Sequence, residues 1–186
     1  MLTRGHAQFA LFFSSMRTLI TTGTLMAALC ASLVLSSQEV KAPAVGAPES
    51  LILKADHSSV SLSPLEFRAL PHVTLTVHNG HTNANEDYSG VPLPVLLAKI
   101  NAPMGDALRG KAMISYLIAT GSDGYSVVLS LAEVDPAFHN SQTIVADTRD
   151  GQPLGKNGPF QLIVPGDKRP ARWVHNLVSI TLQRAR

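Results

Sequence analysis

Apolar residues recur with two different periods along the chain. "LILKA" (51–55) opens with a short apolar run that predicts a first strand. In "SPLEF" the spacing Ser63, Pro64, Glu66 predicts a short helix. Ser63 can cap the amide of Glu66, Glu66 can reach back, and Pro64 is preset for the first helical position. Pro71 disfavours helical geometry at Leu70, so that helix stops there. "HVTLTVH" then alternates strictly: Val73, Leu75 and Val77 share one face, while His72, Thr74, Thr76 and His78 share the other. After the polar loop "NGHTNANEDYSG", "VPLPVLLAKI" places Val95, Leu96 and Ile100 at helical spacing behind Pro92 and Pro94, which predicts an amphipathic helix.

The second half is dominated by strands. "AMISYLIAT", "YSVVLSL", "QTIVADT", "QLIVPG" and "WVHNLVSITLQ" are apolar or alternating runs separated by turns such as "GSDG" and "RDGQ". In the last run Trp173 falls in phase with His175, Leu177, Ser179 and Thr181, opposite Val174, Val178 and Ile180. These elements predict an α+β class, a twisted mixed β-sheet with a few short helices.

The N-terminal region follows a different rule. Arg17 precedes "LITTGTLMAALCASLVL", a small-residue apolar run too short and too rich in Ala, Thr and Ser for a membrane span. This predicts a secretory signal peptide over 1–42, with cleavage at 42–44 around Ala42 and Ala44, Met16 as an alternative start and an uncleaved anchor as the other outcome. A single domain over 45–186, located in the periplasm, would follow. Cys30 is the only cysteine, and Leu29 before it does not suit lipid attachment. Removal of the leader would therefore take away disulfides, thiolate metal sites and cysteine nucleophiles together.

Arg4, Arg17, Lys41 and Glu39 are the charged residues ahead of residue 45, so the formal surplus of +2 belongs to that region. The remainder is charge-balanced, which gives no support to nucleic-acid binding. The chain has neither a G-x-S-x-G nucleophile elbow nor a phosphate-cradling loop motif.

Four motifs in order, "YSGVPLPVLL", "GSDGYSVVLSLAEV", "IVADTRDGQPLGKNGPF" and "QLIVPGDKRPARWVHNLVSITL", resemble the molybdopterin-binding domain of the sulfite oxidase family. The resemblance covers nearly the whole predicted domain. It implies a sulfite-oxidase-type fold with a groove for the pterin cofactor. In catalytic members a cysteine thiolate ends the strand before the "GVPL" loop and binds molybdenum. Here that strand end is "TVHNG", so His78 or its neighbour Asn79 stands where the thiolate is expected. Gln161 stands where such relatives often carry a phosphate-contacting arginine.

These departures imply a groove that binds a pterin or molybdopterin-like ligand without molybdenum or catalytic residues. The resemblance extends to exported pterin-binding proteins that act through membrane enzymes of cyclic dinucleotide turnover, and so implies the periplasmic domain of a signalling protein as partner. The alternatives are a molybdopterin-dependent oxidoreductase of the same family and a pure interaction domain.

The candidate ligand residues are His78, Asn79, Asp123, Tyr125, Arg169, Arg172 and Trp173. Asp123 could accept two adjacent donors of a pterin edge, or serve only its turn before Gly124. Tyr125 could stack on the ligand or pack under the strand. Trp173, the sole tryptophan, could cover a flat heterocycle or fill the core, with Arg169 and Arg172 as donors. His78 and His81 could hold a metal with Glu86 or Asp87, or be polar residues lining a groove or facing water. Asp147, Arg149 and Asp150 surround the "DGQP" turn and carry no assigned chemistry.

Overall fold

The structure, a computed structural model, describes residues 50–140 and 142–186. The predicted leader, Cys30 and the lead-in to residue 49 lie outside the described residues. In chain order the described residues form β1 (Leu51–Ala55), β2 (Ser58–Leu62), α1 (Pro64–Arg68), β3 (Val73–Asn79), β4 (Ala84–Pro92) and α2 (Leu93–Ala98). There follow β5 (Ser115–Gly121), β6 (Ser126–Ser130), α3 (Leu131–Val134), β7 (Ile144–Arg149), β8 (Gln152–Pro153), β9 (Gln161–Ile163) and β10 (Leu177–Arg184).

The strands divide into two sheets. One has the order β2-β1-β10-β5-β6 and is mixed, because β1 runs parallel to β10 while its other pairs are antiparallel. The other runs β3-β4-β7-β8 with β9 also paired to β7, and is antiparallel throughout. The α+β expectation therefore holds, with two sheets where the pattern suggested one. A single apolar cluster draws from both: Leu51, Leu53, Leu117 and Ile180 from the first, Val77, Val91, Val145 and Leu162 from the second. Each fully buried aliphatic side chain contributes about 1.5–3 kcal/mol.

Local chemistry explains where elements begin and end. At α1 the Ser63 hydroxyl accepts from the Glu66 amide at 3.3 Å, and the Glu66 carboxylate accepts from the Ser63 amide at 2.8 Å. This reciprocal cap turns Phe67 inward, where its ring lies 4.7 Å from that of Phe160. Along β3, Val77 and Asn79 are buried while Thr74, Thr76 and His78 are exposed, as strand alternation requires. In α2, Leu93, Leu96 and Leu97 form the buried face, with Ile100 just beyond the helix and Val95 half-buried.

Gly90 marks the irregularity between β4 and β7. A Cβ there would fall 2.1 Å from the Val145 carbonyl oxygen and 2.5 Å from the Ala146 Cα, both backbone atoms that cannot swing aside. Gly90→Ala is expected to cost about 1–3 kcal/mol as the strands are forced apart. Urea unfolding followed by circular dichroism checks it, and an unchanged midpoint would contradict so tight a contact.

Four expectations need correction. The stretch "NGHTNANEDYSG" is not a loop throughout, because Ala84–Pro92 form β4 paired along β3. In "AMISYLIAT" a 3-10 turn runs through Gly110–Ile114, so β5 begins only at Ser115. "YSVVLSL" is not one strand: β6 stops at Ser130, whose amide donates to the Glu133 carboxylate at 3.0 Å, and α3 begins. "WVHNLVSITLQ" is not a single alternating run either. A short 3-10 turn over Pro170–Arg172 precedes Trp173, Asn176 takes a φ of 46°, and β10 begins only at Leu177 with an irregularity before Ser179. Trp173 and Val174 are consequently both buried, as are Leu177 and Ile180, so Trp173 does not stand on a mixed outer face.

Candidate functional site

Three loops converge at one end of the strands and enclose an open cleft of about 290 Å3. The β3–β4 loop supplies His81, the β5–β6 turn supplies Asp123 and Tyr125, and the segment before β10 supplies Pro170, Ala171, Trp173 and His175. Each loop is held by its own hydrogen bonds. Asp123 Oδ1 accepts from the Tyr125 amide at 2.9 Å, the side-chain-to-backbone bond that lets a short aspartate close a turn, and Gly124 follows with a φ of 84°. Tyr125 then reaches across, its hydroxyl donating to the Ala171 carbonyl at 2.6 Å. That bond joins the hairpin to the β10 approach while leaving the tyrosine 49% exposed, so one aromatic face stays available.

Trp173 forms the inner wall. It is 4% exposed, its indole N–H donates to the Val164 carbonyl at 3.0 Å, and its ring meets Tyr88 edge-on at 5.6 Å and 79°. Tyr88 leads to a buried polar cluster. Its hydroxyl donates to Glu86 at 2.6 Å, and the same carboxylate accepts from Asn79 Nδ2 at 2.8 Å and from the Thr82 hydroxyl at 2.8 Å. Asn79 Oδ1 in turn accepts from the His81 amide at 2.9 Å, so the cluster sets the loop that carries His81 into the cleft. Desolvation, then the hydrogen bond to Glu86, pushes the Tyr88 hydroxyl up to about 12, which keeps it a donor at neutral pH.

The electrostatics of the cleft are mild. His175 titrates below the usual imidazole value because its ring is partly withdrawn from water and because His81 lies near it; Asp123 acts in the opposite direction. At neutral pH the cleft thus offers a neutral imidazole, one carboxylate and aromatic walls. Among its lining residues there is no Lys, Arg or sulfur.

The predicted ligand residues separate into two groups. Asp123, Tyr125 and Trp173 come together at this cleft. Asn79 is buried behind it, and His78 is exposed on the opposite face of β3. Arg169 is exposed and does not line the cleft. Arg172 turns away: Nε and Nη2 donate to Asp167 at 2.8 and 2.5 Å, and Nη1 donates to Glu133 at 2.6 Å. Those two carboxylates raise its already high pKa further and occupy the guanidinium fork. His175 was missed as a candidate because the expected alternation put it on a strand; only the turn at Asn176 brings it to the cleft.

Among the described residues no three His, Cys, Asp or Glu side chains gather as metal ligands. Strand alternation sends Asp87 to the outer face with Thr76 at 2.6 Å and Glu86 inward, where its oxygens already serve three donors. His78 and His81 therefore share no carboxylate.

No family model matches the chain, and no curated protein does. Among solved structures the chain is similar to the sulfane dehydrogenase SoxCD from Paracoccus pantotrophus, with a TM-score of 0.54, 20% identity and 72% of this chain covered. The fold is sulfite-oxidase-like. This chain spans 37% of that SoxCD chain.

The residues present do not fit a molybdenum centre with its phosphate-bearing cofactor. The cleft has no thiolate to complete a soft-metal site and no cation to meet a phosphate. Gln161 is 1% exposed and does not line the cleft, and its Oε1 lacks a hydrogen-bond partner among the described residues. A small flat heterocycle fits better, since the cleft has aromatic walls and its volume of about 290 Å3 falls just below the range of about 300–1,000 Å3 usual for ligand pockets.

Proposed function

We propose that this protein is an exported, noncatalytic pterin-binding module that signals through a membrane partner such as a cyclic-di-GMP enzyme. The observation that carries the reading is the placement of the Asp123 carboxylate beside the half-exposed Tyr125 ring in a cleft walled by Trp173 and His175. A pterin presents two adjacent N–H donors on its pyrimidinone edge and a flat ring for stacking. Asp123 Oδ1 keeps a lone pair beyond its turn bond and Oδ2 accepts no hydrogen bond from the described residues, so the carboxylate can receive both donors. Tyr125 supplies the stacking face, and Trp173 acts as a wall. The likeness to a dehydrogenase favours a molybdopterin-dependent oxidoreductase as the second reading; the absence of thiolate and cation from the lining weighs against it.

Trp173 is the sole tryptophan and borders the cleft, so its emission reports directly on occupancy. Titration with an oxidised or reduced pterin is expected to give a saturable change. Asp123→Asn keeps an oxygen for the Tyr125 amide but loses the charge and one acceptor, and is expected to weaken binding about 10- to 100-fold. Absence of a saturable change with any pterin would contradict the reading. The signalling arm predicts that the same substitution alters the pterin response of cyclic-di-GMP level in the producing cell; an identical response would remove that arm alone.

A further inference from the structure

The stretch His72–His78 has a property that the cleft does not use: "HVTLTVH" reads the same in both directions. Its middle, Val73–Val77, lies within β3, which stands at the open edge of its sheet with β4 as its one strand neighbour among the described residues. β3 and β4 pair without a shift from Val73 to Asn79, so the edge is regular. Alternate backbone N–H and C=O groups along it have no partner among the described residues.

Edge strands are usually guarded by a lysine, a proline or a bulge. β3 has none of these. Val73 and Leu75 pack toward the core, yet both stay only half-buried, because no strand lies beyond them. Thr74 and Thr76 are exposed on the other side. No residue of Val73–Val77 is charged, and Asp87, which accepts from the Thr76 hydroxyl at 2.6 Å, stands one strand further in.

We propose that β3 pairs edge to edge with β3 of a second copy of this chain, antiparallel about a two-fold axis at Leu75. Leu75 then meets Leu75 of the second copy, Thr74 meets Thr76, and Val73 meets Val77. Aliphatic and threonine pairs of this kind are the favourable cross-strand combinations, and no like charges are opposed. Opposed residues share a face, so the apolar side and the hydroxyl side each continue across the joint. A slip by one residue would set Leu against Thr and reverse the faces. Pro71, which has no N–H to donate, would stand opposite Asn79 and end the pairing on either side. An isologous contact uses up both β3 edges, so assembly through them closes at two copies. A strand from an unrelated protein would satisfy the same backbone groups but would make no use of the symmetry.

Sedimentation velocity of the purified protein from about 10 to 500 µM tests this, a range suited to paired edges smaller than a standard interface. A concentration-dependent monomer–dimer equilibrium is expected. Thr74→Lys places an exposed lysine on each edge within diagonal reach of its counterpart, and is expected to weaken dimerisation at least about tenfold with unchanged far-UV circular dichroism. Leu75→Cys, in a Cys30→Ser background, checks the register. Opposed Cα atoms of an antiparallel pair lie about 4.5–5.5 Å apart, inside the span of about 4.4–6.8 Å that a disulfide bridges. Mild oxidation is expected to cross-link Leu75→Cys into a dimer and to leave Thr74→Cys, whose counterpart is displaced along the strand, mostly monomeric. A monomer at every concentration would overturn the proposal and leave the edge to a strand of another protein. So would a dimer that Thr74→Lys does not weaken, or one in which Thr74→Cys cross-links better than Leu75→Cys.

Discussion

Replacing Glu86 with alanine is expected to lower the unfolding free energy by about 3–5 kcal/mol, the range for breaking a buried charged network by removing one member. Glu86 is 7% exposed and accepts from Asn79, Thr82 and Tyr88, with Arg149 at 3.9 Å. Alanine leaves the Asn79 and Tyr88 donors unanswered in the interior, while Thr82 and Arg149 can turn to water. Burial is the largest single influence on the Glu86 pKa and acts to raise it; the hydrogen bonds from Tyr88, Asn79 and Thr82, with the Arg149 charge, together outweigh it and hold the carboxyl below the usual 4.5. The native state thus binds a proton on Glu86 less readily than the unfolded chain does. Its contribution is fully present above the ordinary carboxylate range and is lost as pH falls through the depressed native value. The deficit of Glu86→Ala should accordingly be largest at neutral pH and shrink in acid. Urea unfolding at both conditions measures it, and a pH-independent loss below about 1 kcal/mol, the scale of a surface ion pair, would show that the cluster does not hold the β3–β4 loop.

Trp173→Ala is the second large effect, about 3–5 kcal/mol, because a ring that is 4% exposed leaves a cavity when truncated. The Val164 carbonyl loses its donor, and Tyr88 loses an edge-on partner worth about 0.5–1.5 kcal/mol within that total. Far-UV circular dichroism in urea is the appropriate readout, since the variant has no tryptophan. Tyr125→Ala provides the contrast: the residue is half-exposed, so most of its effect should fall on pterin affinity and little on stability. If Trp173→Ala were the milder of the two in urea, Trp173 would be a surface lid and the placement of the core would be wrong.

Much of the fold was legible because local rules decided it. The Ser63–Glu66 cap, the stop before Pro71 and the alternation of β3 each follow from side chains within a few residues of one another. The turn at Asp150 and Gly151 was similarly readable, and both residues take positive φ, 51° and 71°, as a two-residue hairpin requires. Legibility failed where distant contacts outweighed local pattern. The parallel pairing of β1 with β10 joins opposite ends of the described chain. Nothing near Arg172 in sequence announces Glu133, which lies 39 residues away and turns the guanidinium from the cleft.

The site shows the same division. Asp123 and Tyr125 could be singled out because a D-G turn at a strand end places a carboxylate and an aromatic together. The periodicity that singles out Trp173 assumes a strand, whereas a 3-10 turn and the positive φ of Asn176 shift the phase and place His175 beside it at the cleft.

The most direct test of the central claim is native mass spectrometry of the protein purified from a host competent in molybdenum cofactor synthesis, since it weighs organic ligand and metal together. A pterin bound without metal, and released from the Asp123→Asn variant, is the result expected. Stoichiometric molybdenum on the pterin, accompanied by oxidation of a sulfur substrate, would contradict it.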